Sequence, residues 1–194
     1  MTPQIPDHTV SYGERDGEDV ADVAVLRTFD GDVDDIWDAL TNPERLPRWF
    51  APVSGDLRRG GRYAIEGNAS GTVTECHPPR GFSLTWEFGG ATSWLEVEVA
   101  EASPGRTIVR ITHTCPVDVD HWRQFGPSAV GLGWDLTIAG LGMHLAGGDA
   151  GDDVYEAGVA WMSSPDGVAY LRSCGATWAV ADLSAGVTRE DAET

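Results

Sequence analysis

The 194-residue chain has no lysine; all 13 of its basic side chains are arginine, set against 31 Asp and Glu for a formal charge of −18. A surface that acidic repels phosphate backbones and anionic bilayers, which excludes nucleic acid and membrane surfaces as general partners. The missing lysine, beside abundant Ala, Gly, Asp and Arg, fits a coding bias or salt adaptation better than a functional device. Cysteine is also scarce. Cys76, Cys115 and Cys174 are odd in number, far apart and without a Cys-x-x-Cys pair, so neither a disulfide framework nor a thiolate metal site follows from them. No run reaches the ~18 apolar residues of a membrane span. The N-terminus lacks a basic segment followed by an apolar one, so no signal peptide is read and a cytoplasmic protein is expected. In such a compartment the glycosylation pattern Asn68-Ala69-Ser70 would go unused.

What the chain does have is apolar bulk: 41% hydrophobic residues and eight tryptophans, which indicates a globular core. The length suits one well-buried domain with appended helices. Residues 1–19 are polar and aperiodic and read as a flexible N-terminal arm. Residues 20–147 read as the main domain, and 148–194 as a helical extension packed on it.

Within the main domain, "VADVAVLRTFD" spaces Val23, Val25 and Phe29 as one strand face. "GDVDDIWDALTNP" carries Val33, Ile36, Trp37 and Leu40 at helical spacing, with Asp32 as N-cap and Asp34 and Asp35 at the positive end of the dipole. Pro43 opens a second short helix through "ERLPRWF". Five alternating runs follow with turn residues between them, ending in "RTIVRITHTC", where Val109, Ile111, His113 and Cys115 share a face. Consecutive strands on short turns imply an antiparallel meander. Beyond Pro116 the period becomes helical. Val130, Trp134, Ile138, Leu141 and Leu145 form a stripe that needs the concave face of that meander as partner. Gly131, Gly133, Gly140 and Gly142 in the same helix imply close approach to a neighbour or room beside it. Asp118 and Asp120 read as its caps. Two further helices are expected, the second starting at Ser164-Pro165 and running to about Ala185.

Familiar cofactor motifs are missing. The Gly-Leu-Gly pairs at 131–133 and 140–142 lack a third glycine and a preceding strand, "GPSAVG" is no nucleophile elbow, and no phosphate loop exists. His113 with Cys115, His121 and His144 are too scattered for zinc. No cofactor and no metal is therefore expected. His113 reads either as a hydrogen-bonded core residue or as a polar group inside a ligand cavity. Arg58, Arg59 and Arg62 read either as a solvated hairpin or as an anion contact at a pocket mouth. Glu66, Glu96 and Glu98 read as a wet sheet face.

"RTFDGDVDDIWDALTNPERLPRWF", "GDLRRGGRYAIEG", "FSLTWEF", "TIVRITHT" and "GLGWDLTIAGL", in that order, resemble the SRPBCC (START-like) superfamily, in the branch named for activators of the heat-shock-protein-90 ATPase. The resemblance covers about residues 20–147. It implies an α+β helix-grip fold, a curved antiparallel sheet around a long C-terminal helix, with two short helices closing one end and a cavity between sheet and helix. Members often carry a His before the Gly-Trp of that helix; Val130 stands at this place, so no role of that His transfers. The tail "SPDGVAYLRSCGATW" is similar to an extension of some bacterial members.

On that fold, one of Trp49 and Phe50 packs under the second short helix and the other faces the lumen. Ligand contacts are then expected from Trp49, Phe50, Trp86, Ile111, His113, Trp134 and Ile138. The leading reading is a module binding a hydrophobic, lipid- or polyketide-like small molecule. An alternative is an enzyme of cyclase, dehydratase or hydrolase type using His113 in the same cavity. A third, implied by the family name, is a co-chaperone acting on a heat-shock chaperone ATPase.

Overall fold

Eight strands form: β1 (Asp7–Arg15), β2 (Glu18–Asp30), β3 (Val53–Gly55), β4 (Arg62–Ile65), β5 (Ser70–His77), β6 (Gly81–Phe88), β7 (Ala91–Ser103) and β8 (Arg106–Pro116). In this computed structural model, which describes residues 3–117, 122, 124–148 and 154–186, they form one antiparallel sheet in the order β1-β2-β8-β7-β6-β5-β4-β3. Residues 118–121, and with them Asp118, Asp120 and His121, lie outside the described residues. The sheet curves around a long helix, the helix-grip arrangement. Its inward positions Val23, Val25, Leu95, Val97, Val99, Val109 and Ile111 are buried, while Glu66, Glu96 and Glu98 are exposed.

Helix α1 (Val33–Thr41) and a single 3-10 turn at Leu46–Arg48 follow β2 and close one end. Asp32 takes the N-cap position of α1, yet its side chain makes no capping bond. Asp35 and Asp38 instead receive Arg45 at 2.7 and 3.1 Å, which ties the end of α1 to the turn.

Helix α2 (Ser128–Leu145) crosses the sheet and is buried on two sides. Trp134, Ile138 and Leu141 join the core against the strands. Gly131, Asp135 and Ala139, spaced four apart, form a second buried stripe. That stripe meets α4 (Pro165–Ser184), which follows α3 (Val154–Met162) and buries Tyr170, Cys174 and Trp178. Ser164 caps α4, its hydroxyl oxygen accepting from the Gly167 amide at 3.1 Å. A Cβ on Gly131 would sit 2.2 Å from the Trp178 ring; glycine here is what lets the two helices touch. A Cβ on Gly142 would meet the Arg27 guanidinium at 2.8 Å, which donates to the Ile138 carbonyl at 3.3 Å.

The structure corrects the reading of residues 1–19 as a flexible arm. β1 pairs with β2 from Asp7 opposite Leu26 to Arg15 opposite Glu18, through a hairpin turn in which Asp16 and Gly17 both have positive φ. Most β1 side chains are exposed, because an edge strand needs its backbone bonds more than an apolar face. Helix α4 packs on β1, and the Tyr12 hydroxyl donates to Asp182. Among the described residues no helix is long and apolar enough to cross a membrane.

Candidate functional site

Between the concave sheet, α1, the 3-10 turn and α2 lies a half-enclosed cavity of about 320 Å³. The wall is aromatic: Trp37, Trp49, Phe50, Tyr63, Phe82, Trp86 and Trp134 all line it, with Ile111 and Cys76. Among the described residues no Asp, Glu, Arg or His lines it.

Trp49 and Phe50 both reach the lumen, their ring centroids 5.6 Å apart; the sequence expectation that only one would do so is corrected. Trp49 manages both tasks because its indole N–H donates to the Ala39 carbonyl at 3.1 Å, pinning the ring under α1. The same ring walls a second apolar cavity of about 310 Å³, between α2 and α3. Trp86 and Trp134 meet edge to face at 5.4 Å, a favoured aromatic geometry.

His113 and Ile138 stand behind the wall and do not line it. Ile138 is fully buried. His113 receives the Trp134 indole N–H on Nδ1 at 3.1 Å, and its Nε2 lies 2.7 Å from Ser93 Oγ. An indole only donates, so Nδ1 is the bare nitrogen and Nε2–H donates to Ser93. Ser93 passes the chain on to the Trp86 carbonyl at 3.3 Å. Burial lowers the His113 pKa to about 4. Neutral, and with both nitrogens engaged, His113 braces the Trp86–Trp134 pair; it stands behind the wall rather than in the lumen, where both the ligand-contact and the acid-base readings had it.

The arginine cluster is placed elsewhere too. Arg58 pairs with Asp56 at 2.8 Å, Arg59 with Glu75 at 3.0 Å, and Arg62 takes both oxygens of Glu87 at 2.8 and 2.9 Å. None of the three lines the cavity. Hydroxyls on the wall are internally bonded: Tyr63 to the Thr85 carbonyl at 2.8 Å, Thr41 to that of Trp37 at 2.7 Å and Thr137 to that of Gly133 at 2.9 Å. Desolvation pushes the Tyr63 pKa up, so it stays a neutral phenol. Among the described residues no group of three or more His, Cys, Asp or Glu could hold a metal ion.

The profile of a protein family, activator of Hsp90 ATPase homolog 1-like protein, matches residues 30–146. The chain belongs to this family. Of solved structures in the same fold, CalU16 from Micromonospora echinospora is 27% identical in its crystal structure, with TM-score 0.72 over 92% of this chain and 98% of that one. Its solution structure gives 28%, 0.75, 94% and 97%. DynU16, a protein of the dynemicin biosynthetic locus, is 19% identical with TM-score 0.58, over 64% of this chain and 47% of that one; this shows the fold alone. No protein of curated function matches. As a member of the Hsp90-activator-homologue family this chain has a ligand-binding fold. Sequence reasoning missed Trp37, Tyr63, Phe82 and Cys76 on the cavity wall, and a further cluster outside the cavity. His8 on β1 and Asp135 on α2, both fully buried, meet at 2.6 Å. The Trp178 indole donates to the other Asp135 oxygen at 2.8 Å, and the His8 ring stacks on Trp178 at 4.1 Å. The Gly131-Asp135-Ala139 spacing was the available signal.

Proposed function

We propose that the protein binds an apolar small molecule in the cavity between the sheet and α2, with Trp49, Phe50, Trp86, Ile111 and Trp134 in contact and His113 and Ile138 supporting from behind. The observation that carries this reading is a lumen of about 320 Å³ walled by aromatic rings and open on one side. Volumes of this order suit small ligands. Removing ~300 Å² of ligand apolar surface from water contributes several kcal/mol, enough for micromolar affinity after the costs of association. Binding and presentation, rather than turnover, suits a wall without an acid-base pair.

Titration with N-phenyl-1-naphthylamine, read by quenching of tryptophan emission, tests the proposal. Saturable one-to-one binding is expected, weakened about tenfold or more in Thr137→Phe, which puts a ring into the lumen. Native mass spectrometry should show the same stoichiometry. Absence of saturable binding by this probe and by a panel of polycyclic aromatics would remove the proposal.

A further inference from the structure

Resting on the cavity as the binding site, the geometry points to discrimination against anionic ligands: the lumen accepts an uncharged guest and rejects its carboxylate counterpart. Among the described residues no lining side chain carries a charge, and burying an ion without a counter-ion is far costlier than burying a neutral polar group. The three arginines nearest in sequence to β4 are already bound to Asp56, Glu75 and Glu87. Arg48 and Arg80, neighbours in the chain of lining segments, are exposed and line nothing in this cavity.

The few polar side chains among the lining residues sharpen the preference. Tyr63, Thr41 and Thr137 have committed their hydroxyl hydrogens to backbone carbonyls, which leaves oxygen lone pairs as their remaining valence. Lone pairs repel a carboxylate. The indole N–H groups of Trp49 and Trp134 are likewise engaged. The indoles of Trp37 and Trp86 also line the lumen, and a neutral indole N–H supplies a single donor, too little to solvate an anion. The net charge of −18 adds a repulsive field at longer range. A free fatty acid is therefore a poor guest, and a ketone or quinone of similar bulk a good one.

Isothermal titration of the full chain with 2-acetylnaphthalene and with 2-naphthoate, isosteric but for the charge, tests this at neutral pH. The ketone is expected to bind at least about tenfold tighter, and the ratio to persist in high salt, where long-range repulsion is screened. Thr137→Arg, or Thr41→Lys if the first variant melts early, should narrow or invert the ratio by supplying a cation to the wall. Equal binding of both probes by the wild-type protein, or a ratio that collapses in high salt, overturns the inference while leaving the cavity occupied. Binding of neither probe overturns the cavity reading itself, and this inference with it.

Discussion

Trp134 donates its indole N–H to Nδ1 of His113 at 3.1 Å, so the imidazole behind the cavity wall is held as a neutral acceptor. Burial depresses its pKa to about 4, below the ~6.5 of an unfolded histidine. The unfolded chain therefore takes up the proton first as pH falls. The associated stability is fully present above about pH 6.5 and is lost toward pH 4, on the order of 3 kcal/mol at full extent. Urea unfolding at pH 7 and pH 4.5 should show a smaller pH-dependent loss in His113→Phe than in wild type. At pH 7 that variant should be less stable by about 1–3 kcal/mol, because it orphans the Trp134 N–H. A wild-type pH slope in the variant would rule the assignment out.

The three thiols should differ in reactivity. Cys76 is half-buried on the cavity wall, whereas Cys115 and Cys174 are buried. Desolvation pushes their thiols up to about 11 and about 12, away from the reactive thiolate. Native labelling with a chromogenic disulfide is expected to modify Cys76 alone, and a bound cavity ligand to slow it. Fast modification of either of the others would contradict the packing of α2 and α4.

Two glycines only two residues apart in α2 should respond with opposite sign. At Gly133 a methyl group meets nothing within 4 Å, so Gly133→Ala should stabilise by about 0.5–1 kcal/mol through helix propensity. At Gly131 the methyl would strike Trp178 at 2.2 Å, and Gly131→Ala should destabilise by about 1–3 kcal/mol through overpacking. Thermal melts of the two variants decide it; equal shifts would mean that α4 does not seat on α2.

Removing one partner of the buried His8–Asp135 pair should be expensive. Asp135→Ala leaves His8 and the Trp178 N–H without their acceptor, a loss of about 3–5 kcal/mol by analogy with broken buried pairs. A double-mutant cycle with His8→Ala should give a coupling above about 1 kcal/mol. Additive effects would show that the contact carries no energy.

The sheet and the grip helix were legible because their burial is one-sided. β7 and β8 alternate cleanly, and Trp134, Ile138 and Leu141 recur at helical spacing in agreement with the structure. The cavity aromatics at 49, 50, 86 and 134 came from the fold resemblance; the structure puts all four on one wall. β1 was missed because its exposed side chains carry no apolar period, although Asp16-Gly17 is a hairpin signal in plain view. Asp135 was missed for another reason. A carboxylate inside a helix reads as solvent-facing, and only the partners His8 and Trp178, distant in sequence, reverse that. His113 was legible as an inward polar residue but not as a brace, since Ser93 and Trp134 reach it from two other elements.

Because His8 and Trp178 grasp Asp135 from opposite ends of the chain, the segment matched by the family, 30–146, leaves out both partners of that buried carboxylate. A gene trimmed to that boundary would shed the long strand beside β8 and bare a carboxylate meant for the interior. Libraries of such domains cut at homology borders would score this protein as insoluble, when the fault lay with the scissors.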